Sequence, residues 1–91
     1  MTLKETSAVM DILTVAYPQF YKNQSAQEKL MAAKLWAELF AEDQVQTVLA
    51  AVKSLIAADE KGFPPHIGAV KEKIRLLTQP EGGAEAPGGG E

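Results

Sequence analysis

Few residues in this chain could carry acid–base or metal chemistry, and their spacing works against it. Two pairs of adjacent carboxylates, Glu42/Asp43 and Asp59/Glu60, are the candidates for general acid–base work, which needs two groups in mutual reach with separated pKa values. Neighbouring positions on a helix point apart, and both pairs fall at expected helix ends, where acids cap or are solvated. The single histidine, His66, follows two prolines. It reads as a helix-capping or surface side chain, because one imidazole does not hold a metal ion alone. The absence of cysteine excludes disulfides, thiolate catalysis and a zinc–cysteine cluster. Gly82-Gly83 and Gly88-Gly89-Gly90 lie in a tail with no expected strand before them or helix after them, so they do not form a phosphate loop. The expectation is a protein that is not an enzyme and that uses no cofactor and no metal.

The densest cationic group is Lys71, Lys73 and Arg75. At i, i+2 and i+4 on a helix, Lys71 and Arg75 share a face and Lys73 points elsewhere, which describes a solvated surface. The functional alternative for the three is an electrostatic contact with an acidic partner.

The elements that position these residues follow from caps and apolar spacing. Thr2 with Glu5 has capping-box spacing, and Val9, Ile12, Leu13 and Ala16, widened by Met10 and Tyr17, make an apolar face that Pro18 stops. Ser25 with Glu28 opens a second helix running to about Phe40. Its polar stripe of Gln27, Lys34, Glu38 and Glu42 is narrow, which predicts a central helix touching neighbours on two sides. Asp43 is the expected cap of a third helix carrying Val45, Val48, Leu49, Val52, Leu55 and Ile56. The short turn before it predicts that the second and third helices pack antiparallel. The Asp59–Pro65 connection, with Gly62, Pro64 and Pro65, leads into a fourth helix with Ile67, Val70, Ile74 and Leu77 on one side. Tyr17, Phe20 and Tyr21 are expected to seal the bottom of the core, with an exposed binding patch as the alternative, and Trp36 to anchor it, with a place beside a partner-binding groove as the alternative.

The fold class expected is therefore all-α: a compact four-helix domain over residues 1–78 with short loops, followed by a disordered Gly/Pro/Glu tail over 79–91, which has no branched aliphatic or aromatic side chain. Ninety-one residues allow one domain. The formal charge of −3 comes from Glu81, Glu85 and Glu91, leaving the body neutral. Neutrality argues against DNA or RNA as the main partner, since non-specific binding relies on cations neutralising phosphates. No apolar stretch approaches the roughly 18 residues that would span a bilayer. The chain is read as neither secreted nor membrane-inserted.

The run Ala16-Tyr17-Pro18-Gln19-Phe20, then Trp36 in an apolar helix, the Val48-Leu49-Ala50-Ala51-Val52 stripe and finally Phe63-Pro64-Pro65-His66-Ile67-Gly68 resembles the phage-type loader and inhibitor of the replicative DNA helicase. The resemblance covers roughly residues 3–77. It implies an adaptor that binds the hexameric helicase, restrains its ATPase and unwinding, and delivers it to a replisome organiser at an origin, in the cytoplasm of a bacterial host. Within it, Tyr17, Pro18, Phe20, Trp36, Phe63, Pro64, Pro65 and Ile67 are scaffold. The resemblance also implies a flexible carboxy-terminal region that grips the helicase, but the tail here lacks the large side chains in which interface energy concentrates: either the helical body makes the contact, which is the favoured reading, or the tail is a truncated or divergent remnant. The exposed borders of the second and fourth helices supply the candidates: Met31, Lys34 and Glu38 on one, and Lys71, Lys73 and Arg75 on the other. Two alternatives belong to other classes. A DNA-binding regulator would use the third and fourth helices as a helix-turn-helix pair, against which stand their long connection and the neutral charge. A scaffold or dimerisation module would use surplus apolar surface on the second helix.

Overall fold

The computed structural model describes residues 1–79. Five helices follow one another: α1 (Leu3–Ala16), α2 (Pro18–Tyr21), α3 (Ala26–Leu39), α4 (Val45–Ala58) and α5 (Ile67–Leu77), with no strand among the described residues. The four long helices are those that the periodicity predicts. The addition is α2, a single turn that Pro18 opens rather than merely ending α1. Proline fits a first helical position because its missing N–H is one that a helix start leaves unbonded. The expectation of disorder for the tail falls outside the described residues, apart from Gln79.

Helix starts are where local chemistry acts most directly. Thr2 and Glu5 bond reciprocally, Glu5 N–H to Thr2 Oγ1 at 3.1 Å and Thr2 N–H to Glu5 Oε1 at 2.9 Å. Ser25 and Glu28 repeat the arrangement at 3.0 and 2.9 Å. His66 caps α5, its Nδ1 accepting the Ala69 N–H at 3.1 Å. For α4 the expected cap is corrected. Gln44, not Asp43, occupies the position and gives no side-chain bond, because the Asp43 carboxylate is drawn instead to the Lys71 ammonium at 2.9 Å.

The packing order also differs from the sequence expectation. α1 is the central helix: it lies against α2, α3 and α4, while α5 packs on α4. Its buried set, Thr6, Val9, Met10 and Leu13, continues into Tyr17 and is wide enough to serve several neighbours. The Thr6 hydroxyl, fully enclosed, donates to the Thr2 carbonyl at 2.8 Å. α3 and α4 make at most marginal contact despite their short connection, so the expected α3–α4 pairing is replaced by α1 standing between them. One core unites Val9, Leu13, Trp36, Phe40, Val48, Val52, Val70 and Ile74. Trp36 and Phe40 stack within it, ring centroids 5.1 Å apart. The Met1 ammonium closes the far end of α3, donating to the carbonyls of Phe40 at 2.9 Å and Asp43 at 3.1 Å. It thereby supplies the positive charge that a helix C-terminus favours and that the last turn of α3 lacks.

A second long-range tie joins the α1–α2 corner to the connection after α4. The Tyr17 hydroxyl donates to Asp59 Oδ2 at 2.9 Å, and the same carboxylate accepts the backbone N–H groups of Lys61 and Gly62, both at 3.0 Å. Gly62 has φ +80°, a left-handed backbone that glycine adopts without strain. The Lys61 N–H chiefly, with the Tyr17 hydroxyl, holds the Asp59 carboxyl below its ordinary range. Burial first, then the anionic partner, pushes Tyr17 up. The contribution of Asp59 is therefore complete above the ordinary aspartate value of about 4 and lost as pH falls through its depressed value. That of Tyr17 is complete below about pH 10 and lost as pH rises through its raised value. Urea titrations are expected to show Tyr17→Phe about 1 kcal/mol less stable at neutral pH. Asp59→Asn should lack the part of the acid-side loss of stability that the parent shows. A variant that follows the parent's acid limb would mean that the tie carries no stability.

Candidate protein-docking surface

α3 carries more apolar surface than its single main neighbour can cover. Ala33, Trp36 and Phe40 turn inward. At steps of four residues, Met31, Leu35 and Leu39 then form a ridge on the opposite flank, and they remain 60%, 48% and 44% exposed. Lys34 and Glu38 border that ridge, both exposed. The expectation that α3 is covered on two sides is thus corrected. α1 lies on one side, and the outer face, with Leu35 and Leu39, is open. Three large apolar side chains in line on a charged helix differ from the scattered exposed leucines of ordinary surfaces. The narrow polar stripe is the signal in the sequence that could have located them.

The cations of α5 are mostly engaged. Lys71 pairs with Asp43 and lies over the Phe40 ring, 4.6 Å from its centroid. Arg75 holds Glu72 through both its Nε, at 3.2 Å, and its terminal nitrogen, at 2.6 Å. That contact keeps the Glu72 carboxyl below and the Arg75 guanidinium above their usual ranges. Lys73 is half-buried. Of the six candidate residues, Met31, Lys34 and Glu38 share the open face of α3. Lys71 reaches the end of that helix through Phe40 and Asp43, while among the described residues no hydrogen bond or ion pair joins Lys73 or Arg75 to α3.

The acidic pairs have structural work. Asp43 and Asp59 hold Lys71 and the Asp59–Gly62 turn respectively. Among the described residues no three of His, Asp and Glu gather as a metal ion would require. No helix there is long and apolar enough to cross a membrane. The scaffold positions divide: Tyr17 and Trp36 are buried, Pro64, Pro65 and Ile67 are half-buried, and Pro18, Phe20 and Phe63 are exposed. The expectation that Tyr17, Phe20 and Tyr21 together close the core is therefore met by Tyr17 and in part by Tyr21, while Phe20 projects outward, 51% exposed.

Residues 1–71, from the first cap through the core to the first turn of α5, match the model of the family G39P_N, the N-terminal domain of the phage helicase loader/inhibitor. The chain belongs to that family. No curated protein and no solved structure matches it. The loader/inhibitor match spans α1 to α4 whole and both motif runs, Tyr17–Phe20 and Phe63–Ile67. Members of this family are helicase loaders and inhibitors.

Proposed function

We propose that this chain is a non-enzymatic phage or prophage replication adaptor, acting in the cytoplasm of a bacterial host. It binds the hexameric replicative helicase, holds back its ATPase and unwinding, and helps load it at an origin through a replisome organiser. Membership of the loader/inhibitor family supports the helicase as partner. The single structural observation that supports the body as the contact is the Met31–Leu35–Leu39 ridge bordered by Lys34 and Glu38. An apolar centre with a charged rim is the anatomy of a protein interface. Lys71, Lys73 and Arg75 extend the contact toward α5.

The test mixes the purified chain with its host's replicative helicase in the presence of ATP. The expected result is a complex on gel filtration together with a slowed ATPase rate. An unchanged rate and separate elution would reject the reading.

A further inference from the structure

The two motif runs of the sequence meet at a place the helicase ridge does not use. Phe20, from α2, and Phe63, from the connection between α4 and α5, pack edge to face with centroids 5.4 Å apart. Yet they are 51% and 60% exposed. Two phenylalanines that touch each other and leave most of their surface in water make an apolar patch without the burial that would repay it. Beside Phe20 opens a surface pocket of ≈ 450 Å³ whose wall includes Tyr17, Ile56, Asp59, Glu60 and Gly62 and no cationic side chain, while Phe63 lies on the wall of an adjoining pocket together with Lys61 and His66. Asp59 is anchored there by the Tyr17 hydroxyl and two backbone N–H groups. Glu60 is exposed and has no ion pair among the described residues.

We infer that this pocket and the Phe20–Phe63 pair form a second docking surface, which takes an arginine-bearing peptide segment of a partner protein with an apolar residue beside the arginine. Charge complementarity decides the occupant. On the Phe20 side the wall carries two carboxylates, aromatic rings and no cation, and it attracts a guanidinium, which can bond a carboxylate and lie against an aromatic ring; Lys61, on the Phe63 side, leaves that end to the apolar residue. The neighbouring apolar side chain then covers Phe63. The tie from Tyr17 to Asp59 gives the surface a fixed geometry, since it locks the turn that carries Glu60 and Phe63 to the corner that carries Phe20. Rigid presentation lowers the ordering cost of binding. This surface stands independently of the helicase reading.

The experiment titrates the isotope-labelled full chain with the capped peptide acetyl-Gly-Arg-Leu-Gly-amide and follows backbone amide resonances. Saturable shifts are expected at Gln19, Phe20, Glu60, Gly62 and Phe63. Replacing the peptide's arginine by glutamine should weaken binding about fivefold or more. Glu60→Gln in the protein, at an exposed position that leaves the fold intact, should do the same, and Phe20→Leu should weaken it while keeping an apolar side chain. Shifts that fail to saturate, that are equal for the glutamine peptide, that survive Glu60→Gln unchanged, or that fall on α3 instead would each overturn the inference.

Discussion

Phe40→Ala is expected to leave the domain largely unfolded near body temperature. Phe40 is fully enclosed and stacked on Trp36, with Lys71 over its ring. Its backbone closes α3 through an N–H to the Trp36 carbonyl at 2.9 Å, while its own carbonyl receives the Met1 ammonium. Truncating such a ring removes its transfer free energy and leaves a cavity, a loss of about 3–5 kcal/mol. A domain of this size has about 4–12 kcal/mol in total, so the loss is a large share of what holds it folded. In a thermal melt followed by circular dichroism, the midpoint should fall by on the order of 20 °C. Phe40→Leu, which keeps much of the volume, should fall by less than half as much. A midpoint for the alanine variant within a few degrees of the parent would mean that Trp36 and α5 close the core without this ring.

The second large effect is on binding rather than stability. Met31→Gln combined with Leu35→Gln removes two members of the α3 ridge and keeps good helix formers at positions that are 60% and 48% exposed. The melting midpoint should stay within about 2 °C of the parent, since surface changes of this kind usually cost under about 0.5 kcal/mol. Affinity for the replicative helicase should fall about thirtyfold to several hundredfold, because each of the two lost apolar anchors removes about 1–2 kcal/mol and 1.4 kcal/mol is a factor of ten. Calorimetric titration against the hexamer with ATP present reads the change. An unaltered dissociation constant would move the contact away from α3.

How much of this could be read beforehand depended on distance along the chain. The capping boxes at Thr2/Glu5 and Ser25/Glu28 were legible because donor and acceptor sit three residues apart, and so was His66 as a cap. The four long helices were legible from their periodicity. Which helix lies in the middle was not. An apolar face suggests that something within the fold covers it, and α3 shows that this inference can fail, since Met31, Leu35 and Leu39 stay open. Asp43 illustrates competition: its local signal is a cap, but Lys71, twenty-eight residues away, offers a full charge. Tyr17 and Asp59 are forty-two residues apart, and no local rule joins them. Phe20 and Phe63 were both singled out as motif residues; only the fold shows that they touch and stand in water. Of the candidate site, Met31, Lys34 and Glu38 were read correctly as outward-facing, and Leu35 and Leu39 were hidden by being hydrophobic.

The docking of the Met1 ammonium has a practical side. Its charge and its multiple hydrogens satisfy two carbonyls at once. Any reporter, purification handle or formyl group attached ahead of it would leave a neutral amide with one hydrogen for two acceptors. Fusions made at that end should therefore fray the last turn of α3 beside the ridge, and a weakened partner signal from such a fusion would reflect the attachment rather than the protein.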